Sequence, residues 1–219
     1  MRIAVLGLWN SGSSAIAGML HQLGVNMGPP FFGDSWEPND LGWHLRAWWD
    51  QPRLVECVEP AHRVRFLRQW IELQECTGSR ITGAKHPLLS LCAPDLVAAW
   101  GADVRFLWSY RPLDESIMAL KRRRWFWRLE EGMQQRLWDA LSAFQRSHGP
   151  LQKIEWRKVK ANPLWGAREL ARAVEIDPTD AQVASAAGIV SPSARTHRNA
   201  ISLPTRLYSS LRAKLSGSY

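Results

Sequence analysis

At 219 residues the chain has room for one well-packed α/β domain and is short for two. Its 46% hydrophobic and 22% charged residues mark an ordinary folded protein, and no apolar run approaches the ~20 residues that cross a membrane. A formal net charge of +8 suits a polyanionic partner, yet no recognition module is legible around the basic clusters, so nucleic acid is not expected. Cys57, Cys76 and Cys92 lack C-x-x-C spacing; they read as buried small hydrophobes in a reducing cytoplasm rather than as a disulfide framework or a zinc site.

The first element is a strand over Arg2–Leu8, followed by a glycine-bracketed turn rather than by the cleavage site of a signal peptide. Ala15, Ile16, Met19, Leu20 and Leu23 recur at helical spacing, and Gly24 stands where a helix-ending glycine belongs. Pro29–Leu41 reads as an irregular loop. Helical patterning resumes over 42–52 and 61–75, with a strand over Arg80–Lys85 closed by His86-Pro87. A helix bearing Leu88, Leu91 and Leu96 leads to a strand over Val104–Tyr110, and a further helix spans Leu113–Trp127. Leu151–Val159 predicts another strand and Leu164–Ile176 another helix. Strands alternating with helices predict a single three-layer α/β domain over 1–219, a central parallel sheet flanked by helices. Ligands then sit at the carboxyl ends of the strands. The segment 188–219 is basic, with Arg195 and Arg198 in it.

The turn Gly7-Leu8-Trp9-Asn10-Ser11-Gly12-Ser13-Ser14 fits G-x-x-x-x-G-K-[ST] except that Ser13 replaces the lysine. Its backbone N–H groups and the following helix N-terminus can cradle an anion without that lysine. The lysine is needed where β- and γ-phosphates are held during phosphoryl transfer, so an ATPase, GTPase or ordinary kinase is disfavoured. A tight strand-to-helix connection remains the plain alternative.

Taken in order, several segments resemble the bacterial branch of the sulfotransferases that use 3′-phosphoadenosine 5′-phosphosulfate. Asn10-Ser11-Gly12-Ser13-Ser14 resembles that family's [RK]-[ST]-G-[TS]-[TS] loop for the 5′-phosphosulfate. Leu107–Arg123 is similar to its second signature, and Gly83-Ala84-Lys85-His86-Pro87 to its lysine-containing turn. Asn39–Trp43 resembles its N-x-x-G-[YFW] acceptor loop, and Ala161-Asn162-Pro163 and Ala194–Arg198 its late segments. The chain departs from the pattern at Asn10, where a cation is usual, at Ala119, where a serine is usual, and at His44, where an acid is usual.

The resemblance implies a P-loop-like fold and sulfuryl transfer to a hydroxyl of a small-molecule, lipid or carbohydrate acceptor, with no metal required. Asn10, Ser11, Gly12, Ser13 and Ser14 would hold the 5′-phosphate. Arg111 and Ser116, supplemented by Arg195 and Arg198, would hold the 3′-phosphate, and Lys85 would stabilise the leaving oxygen. Either His86 or His44 could serve as base, since an imidazole titrates near neutrality. Each residue also has a plainer reading: Lys85 a solvated strand end, Arg111 a salt bridge to Asp114 or Glu115, the histidines structural hydrogen-bonders. Trp36, Trp43, Trp48 and Trp49 crowd the acceptor segment, partly as core and partly as an aromatic wall. Two alternatives stay open, a non-catalytic binder of adenosine phosphates and a P-loop small-molecule kinase.

Overall fold

A computed structural model describes residues 1–49, 58–123 and 130–190, centred on a parallel sheet of order β2-β1-β3-β4. The strands are β1 (Arg2–Gly7), β2 (Thr82–Lys85), β3 (Arg105–Tyr110) and β4 (Gln152–Glu155). β1 lies between β2 and β3, and from Ile3 onward it is buried, which is why it reads as a nearly unbroken apolar run. Successive side chains point to opposite faces and sort into two cores. Ala4, Leu6 and Trp108 pack with α2 (Asn39–Trp49), α3 (Pro60–Glu75), α4 (Ala93–Trp100) and α6 (Glu130–His148). Ile3, Val5 and Leu107 face α1 (Ser13–Gln22), α8 (Pro163–Ala173) and α9 (Asp180–Gly188). The three-layer α/β architecture expected from the sequence is therefore the one observed. Gly24, at φ 98°, ends α1 in the left-handed conformation that favours glycine.

Several elements differ from the sequence reading. The segment after His86 begins as a 3₁₀ turn over Pro87–Cys92, and the α-helix starts only at Ala93. The strand predicted over Leu151–Val159 ends at Glu155, and Trp156–Ala161 forms the short helix α7. Within α7 only Val159 is buried, so there is no two-sided apolar run to extend an edge strand. α2 begins at Asn39, which puts Asn39–Trp43 in a helix and not in a loop. α5 spans Leu113–Arg123; the rest of its predicted length lies outside the described residues. Cys92 is buried as expected, but Cys76 is exposed, and Cys57 lies outside the described residues. Among the described residues no helix is long and apolar enough to cross a membrane.

Candidate active site at the carboxyl edge of the sheet

The turn between β1 and α1 is anchored at nearly every residue. The Gly7 N–H donates to Ser90 Oγ at 3.1 Å, and Ser11 Oγ donates to the Leu8 carbonyl at 2.8 Å. Ser109 Oγ, at the end of β3, donates to the Ser11 carbonyl at 2.9 Å. Gln134 grips Trp9 from α6, accepting its N–H at 3.1 Å and donating to its carbonyl at 3.0 Å. Ser116 donates to the same carbonyl at 2.5 Å and accepts from Gln134 at 2.8 Å. Arg111 donates to the Asn10 carbonyl at 2.7 Å. Asn10 has φ 61° and Gly12 φ 91°, so the turn passes through two left-handed residues before α1 begins. Such a network fixes the loop before any ligand arrives, and the N–H groups of Ser13 and Ser14 open α1 with no carbonyl one turn back. Trp156, just beyond β4, covers the bare Cα of Gly12.

Lys85 ends β2 beside this turn and is not a solvated strand-end lysine. Only 2% of its side chain is exposed; Nζ donates to Ser14 Oγ at 3.0 Å and to Glu37 Oε1 at 2.7 Å. Glu37 had no place in the sequence reading, yet it is the buried carboxylate of the site. Burial opposes its ionisation, but Lys85 and Arg46 beside it prevail and leave its pKa at about 2. Arg46, on α2, donates to Glu37 Oε2 at 3.1 Å. Ser14, Lys85, Glu37 and Arg46 thus form a continuous polar chain from the glycine turn outward.

The two histidines separate. His86 is buried, and its Nδ1 accepts the Leu88 N–H at 3.1 Å, so its proton resides on Nε2. Among the described residues Nε2 has no hydrogen-bond partner, and it lies 3.7 Å from Glu37 Oε2. Burial, opposed in part by Glu37, lowers the His86 pKa to about 3. His44 is exposed and rests on Phe66 with ring centroids 4.2 Å apart. Asn39, Gly42, Trp43 and Arg46 line the cleft at helical spacing, and His44 falls on another side of the same helix.

Neutral burial of His86 makes stability pH-dependent. Its folded pKa lies below its unfolded value, so the unfolded chain binds more protons between pH ~6.5 and about 3. Stability is fully present above the upper limit and is lost as pH falls through that window. The depressed Glu37 pKa adds loss in the same direction at lower pH. We expect the melting temperature to fall from pH 7 to pH 5, and the fall to be smaller in His86→Gln, measured by circular dichroism. Parallel curves would remove His86 as the cause.

Among the sequence candidates, the structure gathers Asn10, Ser11, Gly12, Ser13, Ser14, Lys85, His86, Arg111 and Ser116 at one edge of the sheet. Ser116 is fully buried and its hydroxyl is committed to the loop. Arg195 and Arg198 lie outside the described residues.

No protein-family profile and no curated protein sequence matches this chain. Its structure, however, aligns with sulfotransferase STF9 from Mycobacterium avium at a TM-score of 0.59 and 13% identity, over 84% of this chain and 66% of that one. The chain has the sulfotransferase fold. Sulfotransferase STF1 from Mycobacterium tuberculosis matches at 0.53 and 12% identity, covering 84% of this chain and 70% of its own. The sulfotransferase domain of the Synechococcus olefin synthase matches at 0.53 and 17% identity, covering 83% of this chain and 76% of its own. The chain therefore spans about two thirds of the STF9 length. Within this sulfotransferase fold the glycine turn, Lys85 and Arg111 follow β1, β2 and β3, the edge where an open parallel sheet binds its ligands.

Proposed function

We propose that the protein moves a sulfuryl group from 3′-phosphoadenosine 5′-phosphosulfate to an acceptor hydroxyl. The observation that carries this reading is the chain Ser14–Lys85–Glu37, which sets a buried cation and a buried carboxylate beside an anion-cradling turn. The donor fits the chemistry of the residues present: helix-opening N–H groups at Ser13 and Ser14 for one phosphate, and the Arg111 guanidinium for another. Arg195 and Arg198 would add to the second site, while Ser116 and Gln134 hold the loop that both sites depend on. Asn10 brings a carbonyl to Arg111 and no charge to the sulfuryl group, which leaves Lys85 as the cation next to Ser14.

The donor supplies a sulfuryl group whose leaving group is a phosphate oxygen. Transfer forms a bond from the acceptor oxygen to sulfur and breaks the bond from sulfur to that oxygen. Lys85 meets the negative charge left on the departing oxygen. Glu37 takes the acceptor's proton. In the pair with Lys85, Glu37 is too weak a base for that step; once Lys85 is shared with the donor's phosphates its hold on Glu37 weakens, and burial raises the basicity of Glu37 against the remaining pull of Arg46. Neutral His86 faces Glu37 with its Nε2 proton and serves as a positioning residue.

Calorimetry tests the donor assignment. Adenosine 3′,5′-bisphosphate should bind much more tightly than 5′-AMP, and Arg111→Ala should remove most of the difference, about 1.5–3 kcal/mol for a charge-assisted contact. Because Arg111 also braces Asn10, the comparison is the ratio of the two affinities within each variant. Equal affinities in the unmodified protein would contradict the assignment.

A further inference from the structure

Beyond Glu37 the polar chain opens into a cleft lined by Phe32, Glu37, Asn39, Gly42, Trp43 and Arg46. Its enclosed space holds about one water molecule, so an acceptor reaches this shallow, open cleft by one end and is not engulfed. Phe32 and Trp43 are 38% and 47% exposed, so large aromatic surfaces stand open at its mouth. Arg46 stands with its guanidinium carbon 5.0 Å from the Phe32 ring centroid, and 39% of its side chain is exposed. One nitrogen of its fork, Nη2, donates to Glu37; among the described residues Nε and Nη1 make no hydrogen bond. Glu37 is already neutralised by Lys85, so Arg46 leaves a surplus positive charge at the cleft mouth. Neutralising Glu37 does not require a second cation, and a forked, aromatic-backed donor is built to receive a carboxylate in plane.

Resting on the sulfotransferase reading, we propose that Arg46 selects an acceptor in which the reacting hydroxyl shares one ring or chain end with an anionic group such as a carboxylate. The hydroxyl lies toward Glu37, the anion meets the free edge of Arg46, and Phe32 and Trp43 cover the apolar part.

The test uses two matched pairs of probes, 4-hydroxybenzoate against 4-hydroxybenzamide and glucuronate against glucose. They separate an aromatic from a sugar source of the same chemistry. Binding of each probe to the complex with adenosine 3′,5′-bisphosphate is measured by calorimetry, and sulfuryl transfer from the phosphosulfate donor is followed in parallel. In at least one pair the carboxylate member should bind on the order of ten- to a hundredfold more tightly. Arg46→Met should bring that ratio near one, and Arg46→Lys should keep part of it. No preference in either pair, no binding by any probe at millimolar concentration, or a ratio that survives Arg46→Met overturns the proposal. So does a variant that weakens nucleotide binding alone, because Arg46 would then serve the donor. Charge-selective binding without transfer leaves Arg46 as the anion-selecting contact of the cleft and defeats the sulfotransferase reading instead.

Discussion

Lys85→Ala should slow sulfuryl transfer by roughly two or more orders of magnitude, the usual cost of losing one preorganised donor to developing charge. It should also destabilise the fold, because Glu37 stays buried with its nearest cation gone. Removing one partner of a buried pair costs about 3–5 kcal/mol, and Arg46 keeps the expected loss toward the lower figure. A Lys85→Met, Glu37→Gln double variant separates the two effects. With neither charge present it should regain most of the stability measured by urea denaturation, yet remain inactive. Near-native turnover in Lys85→Ala would show that the pair is structural only.

Gly12→Ala should be almost as damaging, for steric and conformational reasons together. A Cβ at this position would lie 2.2 Å from the Trp156 ring, and φ 91° is a conformation that L side chains rarely adopt. Backbone strain of about 1–3 kcal/mol and overpacking of similar size are expected. Nucleotide affinity should drop with stability, since the residue moved is the cap of the anion-binding helix. Adding Trp156→Ala relieves the collision and leaves the strain, so the double variant should recover part of both properties. Unchanged urea stability and nucleotide affinity in Gly12→Ala would mean that the turn tolerates displacement.

The elements read most accurately from sequence are those with strong local signals. β1 is an apolar run ended by glycine, and α1 has a clear helical stripe closed by Gly24. Lys85 and Arg111 were placed correctly at strand ends because the α/β alternation locates those ends. Glu37 was missed because nothing local distinguishes it: it sits in a segment rich in Pro, Gly and Asp, and its importance arises only when Lys85, His86 and Arg46 converge on it from elsewhere in the chain. Gln134 was missed for the same reason, being a helix residue that reaches back to Trp9 across a large sequence separation. α9 is absent from the sequence reading although Thr179 and Gln182 form a capping box at its start. The over-long strand at Leu151–Val159 reflects alternating polarity that fits either an edge strand or a short amphipathic helix. Tertiary packing of Trp156 on Gly12 marks where one becomes the other.

The most direct measurement of the central claim is product formation from the phosphosulfate donor across a panel of anionic and neutral hydroxyl acceptors. Sulfated acceptor and adenosine 3′,5′-bisphosphate should appear in equal amounts, and both should fall sharply in Glu37→Gln while nucleotide affinity changes little. Tight nucleotide binding with no sulfated product from any acceptor would contradict it and make the protein an adenosine-phosphate binder.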